Sequence, residues 1–316
     1  MKVGVCMLVY NHEKYVTQAV ESIVSQQTSF AFKLVIGEDC STDKSREILI
    51  QLKQKYPDKI ELLLEDKNLG MINNFYRTIN AIDAPYVAFC EGDDFWNTSD
   101  KLQLQFDYLE ANPATGLVFS NLNIKEKNRT IPSSIKIPPD YSLKPENLLV
   151  NNSIATCTVM CRKKLLLEAQ DFLGGRHFAM GDYPLWLYVA QKSTLAYLDK
   201  ALATYRIVGG SATNQNYGKQ LQFLESQWEV KQLYAQKFTF PASITRQAEI
   251  HYLQRKMLLC FLAEKREDLA DTCKRLLAMK GKLSRREQVY CFAINTALLS
   301  WPLKRYHALH HALRRH

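Results

Sequence analysis

The sequence predicts an α/β protein: a mostly parallel sheet with helices on both faces, followed by a helical C-terminal region. Three observations carry this. Short apolar runs alternate with amphipathic stretches, in the order strand, helix, strand, helix, up to about Ile207. Three of the apolar runs end in clusters of polar and acidic residues, "VYNHE", "GEDCSTD" and "CEGDD". From about Tyr217 onward almost everything is helix-patterned.

Taken in order, "VGVCMLVY" (3–10) is short, continuous and apolar, which reads as a buried strand. Residues 13–27 place Val16, Ala19, Val20, Ile23 and Val24 on one face of a helix. "FKLVIGED" (32–39) is the next strand. "STDKSREILIQLKQKY" (41–56) opens on cap-type residues and sets Ile48, Leu49, Leu52 and Tyr56 on one helix face. "IELLLED" (60–66) is a third strand, a helix runs from about Met71 to Ile82, and "YVAFC" (86–90) is a fourth strand. A helix near 99–111 stops at "NP", and "TGLVFSNLNI" (115–124) reads as a strand. Residues 128–146, with Pro132, Pro138, Pro139 and Pro145, read as loop. "ATCTVMCR" (155–162) reads as a strand, 163–173 as a helix, and "GDYPLWLYVAQ" (181–191) as the start of another. "TLAYLDKALATYRI" (194–207) supplies one or two short strands. The polar run "GGSATNQN" (209–216) marks the boundary, giving an α/β domain at 1–215 and a helical region at 216–316.

The chain has 316 residues, 47% hydrophobic and 23% charged, ordinary for a globular protein able to build a sizeable core. Its eight cysteines form no C-x-x-C pair and lie mostly in apolar runs, so they read as reduced core residues and the chain as cytoplasmic. "VYCFAINTALLSW" (289–301), interrupted by Asn295, falls short of a membrane span. Of the net charge of +9, +7 lies between Lys280 and His316, where eight Lys and Arg face Glu287 alone. Residues 284–316 mix these cations with Val289, Phe292, Leu298, Leu299, Trp301, Leu303, Leu309 and Leu313. Such basic helices can lie on an anionic membrane surface, or pack as an appendage with a solvated basic face. No nucleic-acid-binding module accompanies the charge, so nucleic acid is not an expected partner.

In open parallel sheets, ligands bind beyond the carboxyl ends of the strands. No G-x-G-x-x-G, P-loop or G-x-S-x-G elbow follows the first strand, which argues against dinucleotide, P-loop and serine-hydrolase chemistry. What the strand ends do supply is carboxylate. Glu91, Asp93 and Asp94 crowd into four positions, a donor set suited to Mn²⁺ or Mg²⁺ with substrate phosphates. The alternative is a solvated turn in which Asp93 or Asp94 caps the next helix.

"VYNHEKYVTQAVESIVSQ", "VIGEDCSTDKS", "NLGMINNFYRTI" and "YVAFCEGDDFW" follow one another at a spacing that resembles the family 2 glycosyltransferases of GT-A fold. The form is bacterial, with EGDD(F/Y)W in place of the D-x-D motif, and the likeness covers roughly residues 1–210. The resemblance implies sugar transfer from a nucleotide-diphosphate-sugar donor, with a UDP-sugar expected, to a hydroxyl of a glycan or lipid-linked acceptor. It further implies inversion at the anomeric carbon and a place in cell-surface polysaccharide biosynthesis. A peripheral location on the inner face of the plasma membrane would follow if the basic tail binds lipid.

The resemblance also assigns residues. Val9, Tyr10 and Asn11 surround the base, Asp39 bonds to it, and Asn68 belongs to the pocket wall. Asp93 is the metal ligand, with Glu91 on the ribose and metal side, and Gly92 lets the backbone approach the diphosphate. Asp182 is the catalytic base and Arg206 meets the diphosphate. The chain departs from the family at Glu38 and Glu91, where aspartate is usual, and at Val208, where a histidine sometimes stands. Several of these residues have plainer roles open to them: Asn68 and Gly70 as cap and turn, Asp182 as a helix cap ahead of Pro184, Gly209 and Gly210 as a hairpin rather than a lid. A nucleotidyltransferase on a related fold would need a Gly-rich phosphate loop with Arg or Lys after the first strand, which "YNHEKY" does not supply. An inactive, membrane-bound accessory protein would have lost the metal site or the base, and both sets of acids are present.

Overall fold

The computed structural model describes residues 1–127, 129–132, 143–208 and 216–293. The chain divides into two compact units, Met1–Leu148 with Asn152–Val208, and Leu149–Asn151 with Gly209–His316.

In the first unit the elements run β1 (Val3–Val9), α1 (Val16–Val24), β2 (Phe32–Glu38), α2 (Ser45–Lys55), β3 (Ile60–Leu64), α3 (Met71–Ala81), β4 (Tyr86–Phe89), β5 (Phe95–Trp96), α4 (Lys101–Ala111), β6 (Thr115–Glu126) and β7 (Arg129–Pro132). There follow α5 (Pro145–Val150), a 3-10 turn (Thr156–Thr158), β8 (Met160–Arg162), α6 (Lys163–Leu173), α7 (Asp182–Lys192) and β9 (Thr194–Ile207). The sheet order is β3-β2-β1-β4-β8-β6-β9-β5, with β7 on β6. β1 is central and pairs in parallel with both β2 and β4. Covered on both faces, it is apolar throughout, with Val3, Val5, Met7 and Val9 fully buried. The apolar stripe Val16, Ala19, Val20, Ile23 and Val24 of α1 is buried as its spacing predicts.

Four differences from the sequence reading appear, and the first two have local causes. Residues 155–162 are a turn before a three-residue strand, because the Thr158 hydroxyl donates to the Ala155 carbonyl at 2.7 Å and closes the chain there. Residues 194–207 form one long strand, whose register against β6 shifts around Asn121, where the Asn121 side chain accepts the Leu122 amide. β5 was not anticipated. Its two residues pair with Thr204 and Ala203 of β9. Of the segment read as loop, Arg129–Pro132 is a strand and Pro145–Val150 a helix. Residue 128, residues 133–142 and the segment 209–215, with Gly209 and Gly210, lie outside the described residues.

The second unit contains α8 (Tyr217–Lys237), α9 (Ala242–Leu262), α10 (Arg266–Lys280) and α11 (Arg285–Ala293). Its core includes Leu224, Leu253, Met257, Cys260 and Leu276, with Trp228 stacked on Tyr252 at 4.6 Å. The expectation that all cysteines are reduced fails here: Cys273 and Cys291 form a disulfide joining α10 to α11. The bond arises because two helices bring apolar positions 18 residues apart within 6.4 Å at Cα, a proximity that sequence spacing does not encode. The other six cysteines are free. No helix among the described residues is long and apolar enough to cross a membrane. Of the basic tail only 284–293 is described, and residues 294–316 lie outside.

Closing an 18-residue loop restrains the unfolded chain by about 3 kcal/mol. Thiol titration of denatured, unreduced protein is therefore expected to count six thiols, and eight after reduction. The double substitution Cys273→Ser with Cys291→Ser is expected to lower the urea midpoint of the helical unit.

Candidate active site

The site is assembled where β1, β2 and β4 end together. The pairing continues past each strand. Asp39 donates its amide to the Val9 carbonyl at 3.1 Å, and Gly92 donates its amide to the Leu8 carbonyl at 3.0 Å. Two loops are thus stitched to either side of β1. The chain then reverses at Asn11, whose φ of 59° lies in the left-handed region that asparagine tolerates. Asn11 donates its amide to Ser41 Oγ at 3.0 Å and accepts the Thr42 amide on Oδ1 at 2.8 Å. Val9 is buried, whereas the neighbouring Tyr10 is 46% exposed.

Two of the expected nucleotide contacts also brace the loops. Asp39 Oδ1 accepts the Leu69 amide at 2.7 Å, and its carbonyl accepts Asn68 Nδ2 at 2.9 Å. Asn68 Oδ1 accepts the Gly70 amide, so this pair fastens β2 to the start of α3. Glu38, the departure from the usual aspartate, is fully buried. It accepts the Ser41 amide at 2.6 Å on one oxygen and Arg46 Nε at 2.5 Å on the other. It shapes the loop from within.

The acidic turn shows a sharper division. Asp94 is 2% exposed and accepts the Arg206 amide on Oδ1 at 2.8 Å. Arg206 is itself 6% exposed. It donates Nη1 to the Asp93 carbonyl at 2.6 Å and Nη2 to Gln18 Oε1, and its guanidinium lies 4.5 Å from the Phe95 ring centroid. These contacts bind Arg206 to the backbone of the acidic turn, because burial demands partners for its donors. Gly92 is required for a reason closer to hand than the diphosphate. A Cβ there would stand 2.7 Å from His12 Nδ1, 2.8 Å from Val9 Cγ2 and 3.1 Å from the Leu8 carbonyl.

Glu91 carries the site's electrostatic tension. Its Oε2 is buried with no hydrogen-bond partner. Burial first, then the charge of Asp93, with a further contribution from Asp182, raises its carboxyl to about 8. Burial and the charges of Glu91 and Asp93 push Asp94 up as well. Glu91, Asp94 and the buried Cys157 bring ligand atoms within 4.8 Å of one another. An orphaned carboxylate oxygen among like charges fits a divalent cation, and Glu91 with Asp93 is the pair that would hold it.

Asp182 opens α7. Its Oδ1 accepts the Tyr183 amide and its Oδ2 the Thr156 hydroxyl, both at 2.7 Å. A helix-cap aspartate was expected to keep one oxygen free; here Thr156 takes the second. Burial raises the Asp182 carboxyl. Thr156 also lies close enough to Glu91 to favour its charged form, so one hydroxyl stands near both acids. Thr156 and His12 went unmarked in sequence, and Cys157 was read as a core residue because no second cysteine pair lies near it, since their partners lie far along the chain. Lys101 is another such residue. It is fully buried, donates to Gln105 Oε1 at 2.6 Å, and is lowered by burial to about 7.

A nucleotide-binding α/β sheet with an acidic cation-type turn at its carboxyl edge defines a class of nucleotide-diphosphate-sugar enzymes as a candidate. Comparison with known proteins narrows it. The family model described as Glycosyl transferase family 2 matches residues 4–168, more than half of the chain, and the chain belongs to that family. Among curated relatives, an uncharacterised Mycobacterium tuberculosis protein is 28% identical over 220 residues, covering 69% of this chain and 62% of its own length. The Bacillus subtilis protein TuaG, named for glycosyl transfer in teichuronic acid biosynthesis, is 27% identical over 210 residues, 66% of this chain and 80% of TuaG. The chain thus spans under two thirds of the length of its mycobacterial relatives.

Among solved structures, Staphylococcus aureus TarS residues 1–349 with UDP-GlcNAc superposes with a TM-score of 0.56 at 16% identity, over 94% of this chain and 92% of that one. The mannosyltransferase PcManGT of Pyrobaculum calidifontis, with GDP-Man and Mn²⁺, gives 0.60 at 14% identity, over 96% and 87%. The fold is GT-A, with additional helices at the C-terminus.

Two outcomes are expected. Gly92→Ala drives a methyl against β1 and His12, and is expected to destabilise the protein by about 1–3 kcal/mol in urea melts. Glu91, raised to about 8 from 4.5, stays protonated in the metal-free fold where the unfolded chain has already ionised. Its stabilisation is present below about pH 4.5 and is lost as pH rises through about 8. Metal-free melting temperature is expected to fall across that range, and Glu91→Gln to flatten the fall.

Proposed function

We propose that the chain is a metal-dependent, inverting glycosyltransferase that moves a sugar from a nucleotide-diphosphate-sugar, a UDP-sugar by preference, to a hydroxyl of a glycan or lipid-linked acceptor. The observation that carries this is the buried, unpartnered Glu91 oxygen, which feels the charges of Asp93 and of Asp182 at the start of α7. Membership of glycosyl transferase family 2 supports it, as do the nucleotide-sugar complexes of the structural neighbours.

In this reading Tyr10 and the second oxygen of Asp39 hold the base, with Val9, Asn11 and Asn68 setting the shape of the pocket. Asp93 and Glu91 hold Mn²⁺ or Mg²⁺, which supplies counter-charge to the departing diphosphate. Asp182 accepts the acceptor hydroxyl proton as that oxygen bonds to the anomeric carbon and the bond to the diphosphate breaks. Its burial raises its basicity, and the Thr156 and Tyr183 hydrogen bonds fix its orientation. Arg206 holds the acidic turn in place from behind.

The name of TuaG supports a role in cell-surface polysaccharide synthesis. We assign catalysis to residues 1–215, and to the helical region 216–316 a role in placing the enzyme at an anionic membrane surface on the cytoplasmic side.

Metal-dependent sugar release from UDP-, GDP- and dTDP-sugars tests the reading. Asp93→Ala is expected to abolish it, and release independent of both metal and Asp93 overturns it. Asp182→Asn is expected to lower kcat for transfer by about 10²–10⁴ with donor KM nearly unchanged.

A further inference from the structure

The second unit carries a cavity of about 390 Å³, within the usual range of small-molecule sites. Residues of α8, α9 and the end of α10 line it, together with Leu149. Trp228 and Met279 supply apolar wall, and Gln232 and Gln236 supply hydrogen-bonding groups. Three charged side chains line it as well: Lys231, Arg246 and Glu249.

The charges are unevenly paired. Glu249 is taken by Arg275 at 2.9 Å. Lys231 is 8% exposed and donates Nζ to the Val150 carbonyl at 2.7 Å, a neutral partner. An ammonium has three donors, so this bond leaves capacity over. Arg246 donates Nη2 to the Met279 carbonyl, again a neutral partner. Among the described residues neither cation has an ion pair. In the same unit Lys256 meets Glu225 at 2.7 Å and Lys280 meets Glu287 at 2.8 Å. The surroundings of Lys231 add positive charge rather than offset it. Burial, then the charge of Arg255, lowers it to about 8, and His251 feels both Lys231 and Arg255.

A buried cation without a counter-charge is costly. Lys231 borders a cavity, so the counter-charge can be a ligand. Two cations with no free acid between them match a phosphate monoester, whose charge approaches −2, better than a single carboxylate. The arginine fork and the lysine point charge are both phosphate-binding groups. The remaining wall leaves room for more than the anion.

We propose that this cavity binds a small organic phosphate of the phosphorylated-sugar class. Lys231 and Arg246 hold the phosphate, and Trp228, Gln232 and Gln236 receive the sugar ring and its hydroxyls. The site needs neither the strand-end cation nor the catalytic acids.

Calorimetric titration of the full chain in the presence of EDTA tests this, with glucose 1-phosphate, inorganic phosphate and glucose as probes. Glucose 1-phosphate is expected to bind once per chain and more tightly than phosphate, and glucose not to bind. Lys231→Gln keeps a donor for Val150, and the Arg246 side chain is exposed, so both variants are expected to fold. Each is expected to weaken glucose 1-phosphate about 10–100-fold. Asp93→Ala is expected to bind it as wild type does. Absence of binding to wild type at millimolar concentration overturns the proposal, and so does unchanged affinity in either cavity variant. Binding lost with Asp93→Ala places the ligand at the strand ends and overturns it too. Inorganic phosphate bound as tightly as glucose 1-phosphate overturns the assignment of a sugar.

Discussion

Holding Glu91, Asp93 and Asp94 within four positions is the constraint on which the first unit depends. Like charges at this spacing repel, and burial sharpens the repulsion by removing water. The fold answers from three directions. Gly92 presses the turn against the end of β1 through a hydrogen bond from its amide to the Leu8 carbonyl. Arg206 brings a guanidinium and a backbone amide from β9 to the turn. The short pairing of β5 with β9 keeps that strand alongside. Asp94, bonded to the Arg206 amide, becomes part of the frame. Glu91 and Asp93 are left to the site.

The same separation of frame and function recurs at the other strand ends. Glu38 and Asp39 are adjacent acids with different duties. The first is consumed by Ser41 and Arg46, and the second bonds the Leu69 amide through one oxygen only. Asn11 and Asn68 are both polar residues in loops, yet each makes hydrogen bonds that fix the loop it sits in. Strand-end loops braced this way are ordered before any ligand arrives, which reduces what binding there must spend on ordering.

Much of this was legible in the sequence. The buried stripe of α1 and the unbroken apolar run of β1 follow from periodicity, because each element buries a face set by its own geometry. The acidic cluster at the end of β4 follows from the rule that parallel sheets bind ligands beyond their strand ends. What escaped depends on pairs distant in sequence. Thr156 reaches Asp182 across 26 positions, and Arg206 reaches Asp94 across 112. The hold of Arg206 on the acidic turn was not legible, because an arginine near a phosphate site and an arginine under an acidic turn have the same local sequence. Cys273 and Cys291 were misread because helical packing, not spacing, brings them together.

The clasp made by Arg206 has a consequence for how the chain is made. The span matched by the family model ends at residue 168, before the arginine is reached. A ribosome that has released the whole of that span has still not delivered the cation that steadies the acidic turn. Until β9 emerges, the nascent chain carries its catalytic carboxylates without their clasp. Completion of the site is therefore timed to the end of the first unit's synthesis, and a fragment cut where the family model stops would hold much of the vocabulary without its closing sentence.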